Sequence, residues 1–340
     1  MRSGVLAGGS WIRDNVKLVD AWPAQDTLAT IVDELAGNGG SPYNILVNLA
    51  KLGAPFPLAG VGLLGDDAYG HAILADCRAR GIDTTHLCAT SAAATSYTDV
   101  VTVRSTGRRT FFHQPGANAL LDVQHFDFSA TMARIFHLGY LLLLERLDSL
   151  ADGRPRICEV LRQARRAGLL TSVDCVSECS GRLTSTIGPV LPEVDVFFAN
   201  DFEASAITGI PLRSGDSLRP EGIRDAARAL LKHGVGAWAI VHAPEAVFAA
   251  GAADAEHWQP SLAVPPHCIV GAAGAGDALA AGVLYGLHEG WPMARCLKLG
   301  VCVAAASLTH ATCSGGISSV EDCLALSGRW GLQSVSLVRT

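Results

Sequence analysis

The run Gly271-Ala272-Ala273-Gly274-Ala275-Gly276-Asp277, followed by small helix formers up to Gly282, holds the densest chemistry in the chain. Bare glycines let backbone N–H groups approach a ligand with no side chain in the way. A helix starting there points its positive end at the same spot, which suits an anion and above all a phosphate. A carboxylate beside an anion hole repels phosphate, so Asp277 needs a chemical reason. The obvious one is to take the proton from a hydroxyl as that hydroxyl attacks a phosphoryl group. Gly274, Ala275 and Gly276 would then offer N–H groups to the charge growing on the transferred group. The plainer alternative is a glycine turn with a first-turn acid that complements the helix dipole.

Such a site needs elements to hold it. Apolar runs at 5–7, 56–61, 135–138, 169–174, 194–199 and 237–242 read as buried strands. Stretches 44–52, 68–80, 156–166, 222–233, 277–288 and 294–309 read as helices. Gly53, Gly81, Gly168 and Gly234 come just past four of them, where a left-handed C-terminal turn belongs. Alternating strands and helices imply a mostly parallel central sheet between two helical layers, a three-layer α/β/α fold. Sites in such sheets lie beyond the carboxyl ends of the strands. Asp174, Asn200 and His242 each come at or just past a predicted strand end, so they can share a crevice with Asp277. Two segments, 11–35 and 95–114, break the rhythm and read as short strands with turns. Neither internal repeats nor a low-complexity linker is visible, so the expectation is one domain over 1–340 with those two segments inserted in it.

Several motifs recur in a familiar order. They are Gly39-Gly40-Ser41-Pro42-Tyr43-Asn44, Leu49-Ala50-Lys51-Leu52-Gly53, and a Gly62 to Gly70 run containing Gly65-Asp66-Asp67. Then come Gly81-Ile82-Asp83, Gly107-Arg108-Arg109-Thr110, Pro115-Gly116-Ala117-Asn118, Asn200-Asp201-Phe202-Glu203 and Gly274-Ala275-Gly276-Asp277. Together they cover most of the chain, which resembles the ribokinase-like (PfkB) carbohydrate kinases. The resemblance implies that 11–35 and 95–114 form a small β lid over a sugar, and that Asp277 is the general base. It makes Asp14 an acceptor of substrate hydroxyls reaching in from the lid base, a role a carboxylate fills by accepting two protons at once. Gly39, Gly40 and Asn44 would bind the sugar, the glycines as bare backbone and Asn44 as donor and acceptor. Asn200, Glu203 and His242 would lie at the nucleotide, with Glu203 reaching a Mg²⁺ or other divalent ion through water. Asn200 and Glu203 also have the spacing of a helix capping box, and both roles can hold together. ATP is the implied phosphate donor, a monovalent cation a further implied ligand, and a homodimer paired through the lid an implied assembly. A nucleoside acceptor, or a sugar-binding relative without activity, are the alternatives.

The chain departs from the pattern in three places. Many relatives carry a lysine where Ser41 stands, and its absence argues for an acceptor without a phosphate. Gly271 and Ala272 replace the usual Asp-Thr. His242-Ala243-Pro244-Glu245 replaces Thr-x-Gly at the nucleotide end, and Pro244 has no N–H to donate. An imidazole near phosphates is expected to be cationic, with nucleotide affinity falling as pH rises above neutrality; the alternative is a neutral, hydrogen-bonded His242 pointing into the core. Gly60-Val61-Gly62-Leu63-Leu64-Gly65 is a literal G-x-G-x-x-G, but it follows a complete strand and helix, so a dinucleotide site is not expected there.

Composition closes off other classes. The 340 residues are 49% hydrophobic and 17% charged, which describes a globular chain with an ample core. A net charge of −6 without a basic cluster argues against nucleic acid. No apolar run is long enough to span a bilayer, and the first residues lack a signal-peptide core, so a cytoplasmic location is expected. The 10 cysteines are scattered, Cys175 and Cys179 four apart, which reads as reduced, buried thiols rather than a zinc site.

Overall fold

A computed structural model describes residues 2–178 and 181–334. Nine strands form the central sheet. From one edge to the other they run Glu256–Pro260, Ala246–Gly251, Trp238–His242, Val196–Asn200, Leu170–Cys175, Ile135–Leu141, Val5–Gly9, Leu58–Gly65 and Asp83–Thr90. Seven are parallel; the two at the first edge are antiparallel. All five residues of Val5–Gly9 are buried, as a strand covered on both faces must be. One apolar core on one face gathers Ser41–Lys51, Ala275–His288 and Met293–Ser307; a second, on the other face, gathers Ile157–Arg166 and Pro220–Lys232. The three-layer expectation is met.

The six predicted helices are present with ends shifted by up to three residues, and the four glycines placed past helix ends all adopt positive φ. The helix Asp201–Thr208 was marked only by its capping box, and the helix Val320–Trp330, the strand Asp83–Thr90 and the antiparallel edge pair were not foreseen. Gly60, Gly62 and Gly65 lie within the strand Leu58–Gly65 rather than in a phosphate loop. Side chains at 60 and 62 would collide with the Trp11 indole, at 2.8 and 2.4 Å, so these glycines make room for a buried ring.

The lid is a four-stranded sheet in the order Ile31–Gly39, Ile12–Val19, Tyr97–Val103, Arg109–Gln114. Its first segment runs four residues further than expected, to Gly39, because Asp14 pairs with Gly37 and Ile12 with Gly39. Register then arranges its underside in rows: Asp14, Thr98 and His113; Val16, Val100 and Phe111; Leu18, Thr102 and Arg109. The nine described cysteines are free, six of them buried, one exposed and two intermediate; Cys179 lies outside the described residues. None of the described helices is long and apolar enough to cross a membrane.

Candidate active site

Between lid and sheet lies a cavity of about 740 Å³. It is lined by Asp14, Gly40, Asn44, Asn200, Glu203, His242, Gly274, Ala275, Gly276 and Asp277, so one cavity brings together every proposed site residue but Gly39. Gly39 stands behind Asp14: a Cβ there would fall 2.0 Å from Asp14 Oδ2. Its bare backbone makes room for the carboxylate, a correction to its expected direct role.

Asp277 occupies the first turn of Ala275–His288, whose N-cap Gly274 has φ 73°. A side chain at Gly274 would also meet Cys313 Cβ at 2.5 Å, because the 311–313 segment closes over the turn. Asn44 Nδ2 and the Tyr140 hydroxyl both donate to Asp277 Oδ2, each at 2.7 Å. Burial pushes the Asp277 carboxyl well above the usual carboxylate range, and the Asp174 charge adds to it; the Tyr140 and Asn44 bonds oppose the shift, and Asp14 reinforces it. Tyr140 was not foreseen. It lies just past the predicted strand 135–138, and nothing in its neighbours marked it.

Asp174 also faces the cavity. Its Oδ2 accepts from Ser41 Oγ at 2.8 Å, while its buried Oδ1 has no partner. Ser41 Oγ lies 2.9 Å from His137 Nε2, and His137 Nδ1 lies 3.0 Å from Ser172 Oγ. Ser41 is fully buried, so its hydroxyl holds Asp174 and brings no charge to the acceptor.

On the lid, the Asp14 carboxyl makes no hydrogen bond or ion pair among the described residues. Burial pushes it up to about 7, against the pull of Arg13. Beside it in the same row, His113 Nδ1 meets Thr98 Oγ1 at 2.9 Å and leaves a buried Nε2 without a partner. Thr98 and His113 were missed as site residues, because only the cross-strand register brings them beside Asp14.

At the other end, Asn200 and Glu203 form the capping box. Asn200 Oδ1 accepts from Glu203 N at 2.8 Å, and Glu203 Oε2 accepts from Asn200 N at 2.9 Å. Glu203 Oε1 also accepts from Ser177 Oγ at 2.7 Å and from Asn200 Nδ2 at 2.9 Å. Burial pushes Glu203 up to about 7, against the Asn200 backbone bond. His242 ends Trp238–His242 beside Asn200, with its ring against Gly276. Burial pushes His242 down to about 4, outweighing the Asp201 and Asp174 charges. Without a ligand the imidazole is therefore neutral at physiological pH; phosphate charge beside it would raise it again, so nucleotide affinity that depends on pH stays an expected result. The turn after it is hooked to the body by Arg213, which donates to Glu245 Oε1 and Oε2 at 3.0 Å each and to Asp201.

Comparison with known proteins adds what geometry alone does not. The family model described as pfkB family carbohydrate kinase matches residues 9–320. Probable fructokinase-3 of Arabidopsis thaliana is 31% identical over 143 residues, 41% of this chain and 39% of that protein. Fructokinase-1 of Zea mays is 28% identical over 217 residues, 62% of this chain and 64% of that protein. The chain thus spans less than two thirds of the length of these relatives. Among solved structures, Arabidopsis thaliana ribokinase complexed with ribose and ATP superposes with a TM-score of 0.76 at 20% identity, over 96% of this chain and 99% of that one. Burkholderia thailandensis nucleoside kinase in complex with inosine gives 0.75 at 16% identity, over 97% and 100%. At such identities the likeness is one of fold.

Proposed function

The chain belongs to the pfkB family of carbohydrate kinases, and from that premise we propose that it transfers the γ-phosphoryl group of ATP to a hydroxymethyl group of an unphosphorylated sugar. The observation that carries the reading is a buried carboxylate, Asp277, in the first turn of a helix whose glycine start walls the same cavity. The acceptor hydroxyl gives its proton to Asp277 as its oxygen forms the new bond to phosphorus and the bond to the leaving ADP breaks. Asn44 and Tyr140 fix the carboxylate on one oxygen and leave the other to the substrate. N–H groups of the Gly274–Gly276 turn face the charge that spreads over the transferred group. Asp14 and His113, with free polar atoms, hold the acceptor's remaining hydroxyls.

Oxygen donors at the nucleotide end fit a hard divalent cation such as Mg²⁺. Asp174 offers an unpartnered Oδ1, and Glu203, with both oxygens already accepting, suits contact through water. Bound there, the ion neutralises phosphate charge. A nucleoside acceptor is the second reading, favoured by the apolar row of Val16, Val100 and Phe111 against which a planar base packs. An ADP-release assay across sugars and nucleosides tests both: turnover of a sugar is expected, and binding of sugars with no ADP released would overturn the kinase reading.

The reading extends to assembly and place. Strand Ile31–Gly39 is a lid edge, with Ile31, Val32 and Leu35 exposed. Unpaired edges of this kind seek a partner strand, so the chain forms a homodimer through its lid. Sedimentation velocity should give twice the 35.5 kDa chain mass, falling to one when Val32 is changed to Lys. A monomer at every concentration would remove the dimer. The ATP supply and the free thiols agree with a cytoplasmic enzyme.

A further inference from the structure

The outermost row of the lid underside carries a charge with nothing to answer it. Arg109 is the one lysine or arginine lining the cavity among the described residues, against the carboxyls of Asp14, Asp174, Glu203 and Asp277. It forms no hydrogen bond and no ion pair among the described residues. Two basic residues on the opposite lid face are engaged: Arg13 donates to Asn38 at 2.8 Å, and Lys17 lies 3.8 Å from Asp99. Arg109 is also half-buried, and burial lowers its pKa despite the neighbouring Cys313. Loss of hydration around a guanidinium without a partner is unfavourable, and a ligand anion would relieve it.

Register says which part of the ligand this is. Arg109 and His113 face the same side of one strand, four residues apart, or about 13 Å at the rise of an extended chain. The hydroxyl-binding row of Asp14, Thr98 and His113 is at the inner end, the apolar row of Val16, Val100 and Phe111 lies between, and Arg109 is at the outer end.

We infer that the acceptor carries a carboxylate at the end remote from its reacting hydroxymethyl group, and that Arg109 binds it. A single planar guanidinium matches one singly charged carboxylate in a two-bond fork. A phosphate dianion would call for further cations, and the cavity wall supplies none. The substrate class is thus a sugar acid with a free terminal hydroxymethyl group. The inference rests on the kinase reading for the fate of that group, but the binding of the acid is measured without it.

The test pairs an aldonate with the alditol of equal carbon number, since both end in a hydroxymethyl group and differ only at the charge. Isothermal titration and ADP release are run on the wild type, Arg109→Gln and Arg109→Lys, with the corresponding sugar phosphate as a further ligand. The wild type should bind the aldonate at least about 10-fold tighter than the alditol. Arg109→Gln should abolish that preference, and Arg109→Lys, which keeps the charge but not the fork, should restore part of it. Equal binding of acid and alditol by the wild type overturns the inference, as does tighter binding of the sugar phosphate than of the acid. A uniform fall in kcat on all acceptors in Arg109→Gln, with KM unmoved, also overturns it, since the arginine then serves the phosphoryl group. Arginine-dependent binding of the acid with no ADP release would sink the kinase reading and leave this one standing.

Discussion

Replacing Asp277 by Asn is expected to lower kcat by more than about 10²-fold while leaving acceptor binding near normal. The amide keeps an oxygen that can accept from Asn44 and Tyr140, so the site retains its shape and loses only its base. A stability signature should accompany the loss. Asp277 holds its proton more tightly in the folded chain than in the unfolded one, where its ordinary value is 3.8. Folding therefore takes up a proton above that value, and wild-type stability declines as pH rises toward the raised folded value. The Asn variant carries no such term, so its melting temperature should exceed that of the wild type by a margin that widens with pH. The same protonation predicts that wild-type kcat/KM climbs with pH across neutrality, since only the ionised carboxylate accepts a proton. Turnover retained in Asp277→Asn, or kcat/KM falling over that range, would remove Asp277 from the role of base.

A second large effect should come from the lid. Asp14→Ala removes a partly buried carboxyl with no protein partner, so its loss should be felt only when an acceptor is present. Charged hydrogen bonds of this kind are worth about 1.5–3 kcal/mol each, which corresponds to a rise of roughly 10- to 100-fold in acceptor KM. Gly39→Ala should reproduce much of the effect, because its methyl group would occupy the place of Asp14 Oδ2. Nucleotide KM should move little in both variants. Acceptor KM unchanged in Asp14→Ala would take Asp14 out of the acceptor site.

The sequence was most legible where one residue type has few uses. Gly274 before Asp277 announced an anion-seeking helix start, and the glycines after four helices marked where those helices stop. Periodicity placed the buried parallel strands because, covered on both faces, they are apolar throughout. It missed Asp83–Thr90 and Glu256–Pro260, since these edge strands mix exposed and buried positions, and it also missed Ala246–Gly251, although that strand is buried throughout. The site was legible as a set of carboxylates and glycines but not as a set of contacts. Tyr140, the Ser41–His137–Ser172 chain and the idle Nε2 of His113 depend on which strands lie side by side. His242 shows the same limit in its charge. Proximity to phosphate argues for a cation in the occupied site, while burial, which no local pattern reveals, makes the ligand-free ring neutral.

The burial of Asp277 bears on what the site does while idle. A carboxyl that keeps its proton near neutrality is a poor activator of stray water, the commonest competitor for a bound nucleotide. The groups that would receive an acceptor's hydroxyls, Asp14 and His113, ride on the lid, whereas Asp277 belongs to the core. Only a molecule long enough to touch both halves brings the hydroxyl to the base. On the proposed kinase reading, fidelity against futile ATP hydrolysis would thus rest on the division of labour between two sheets.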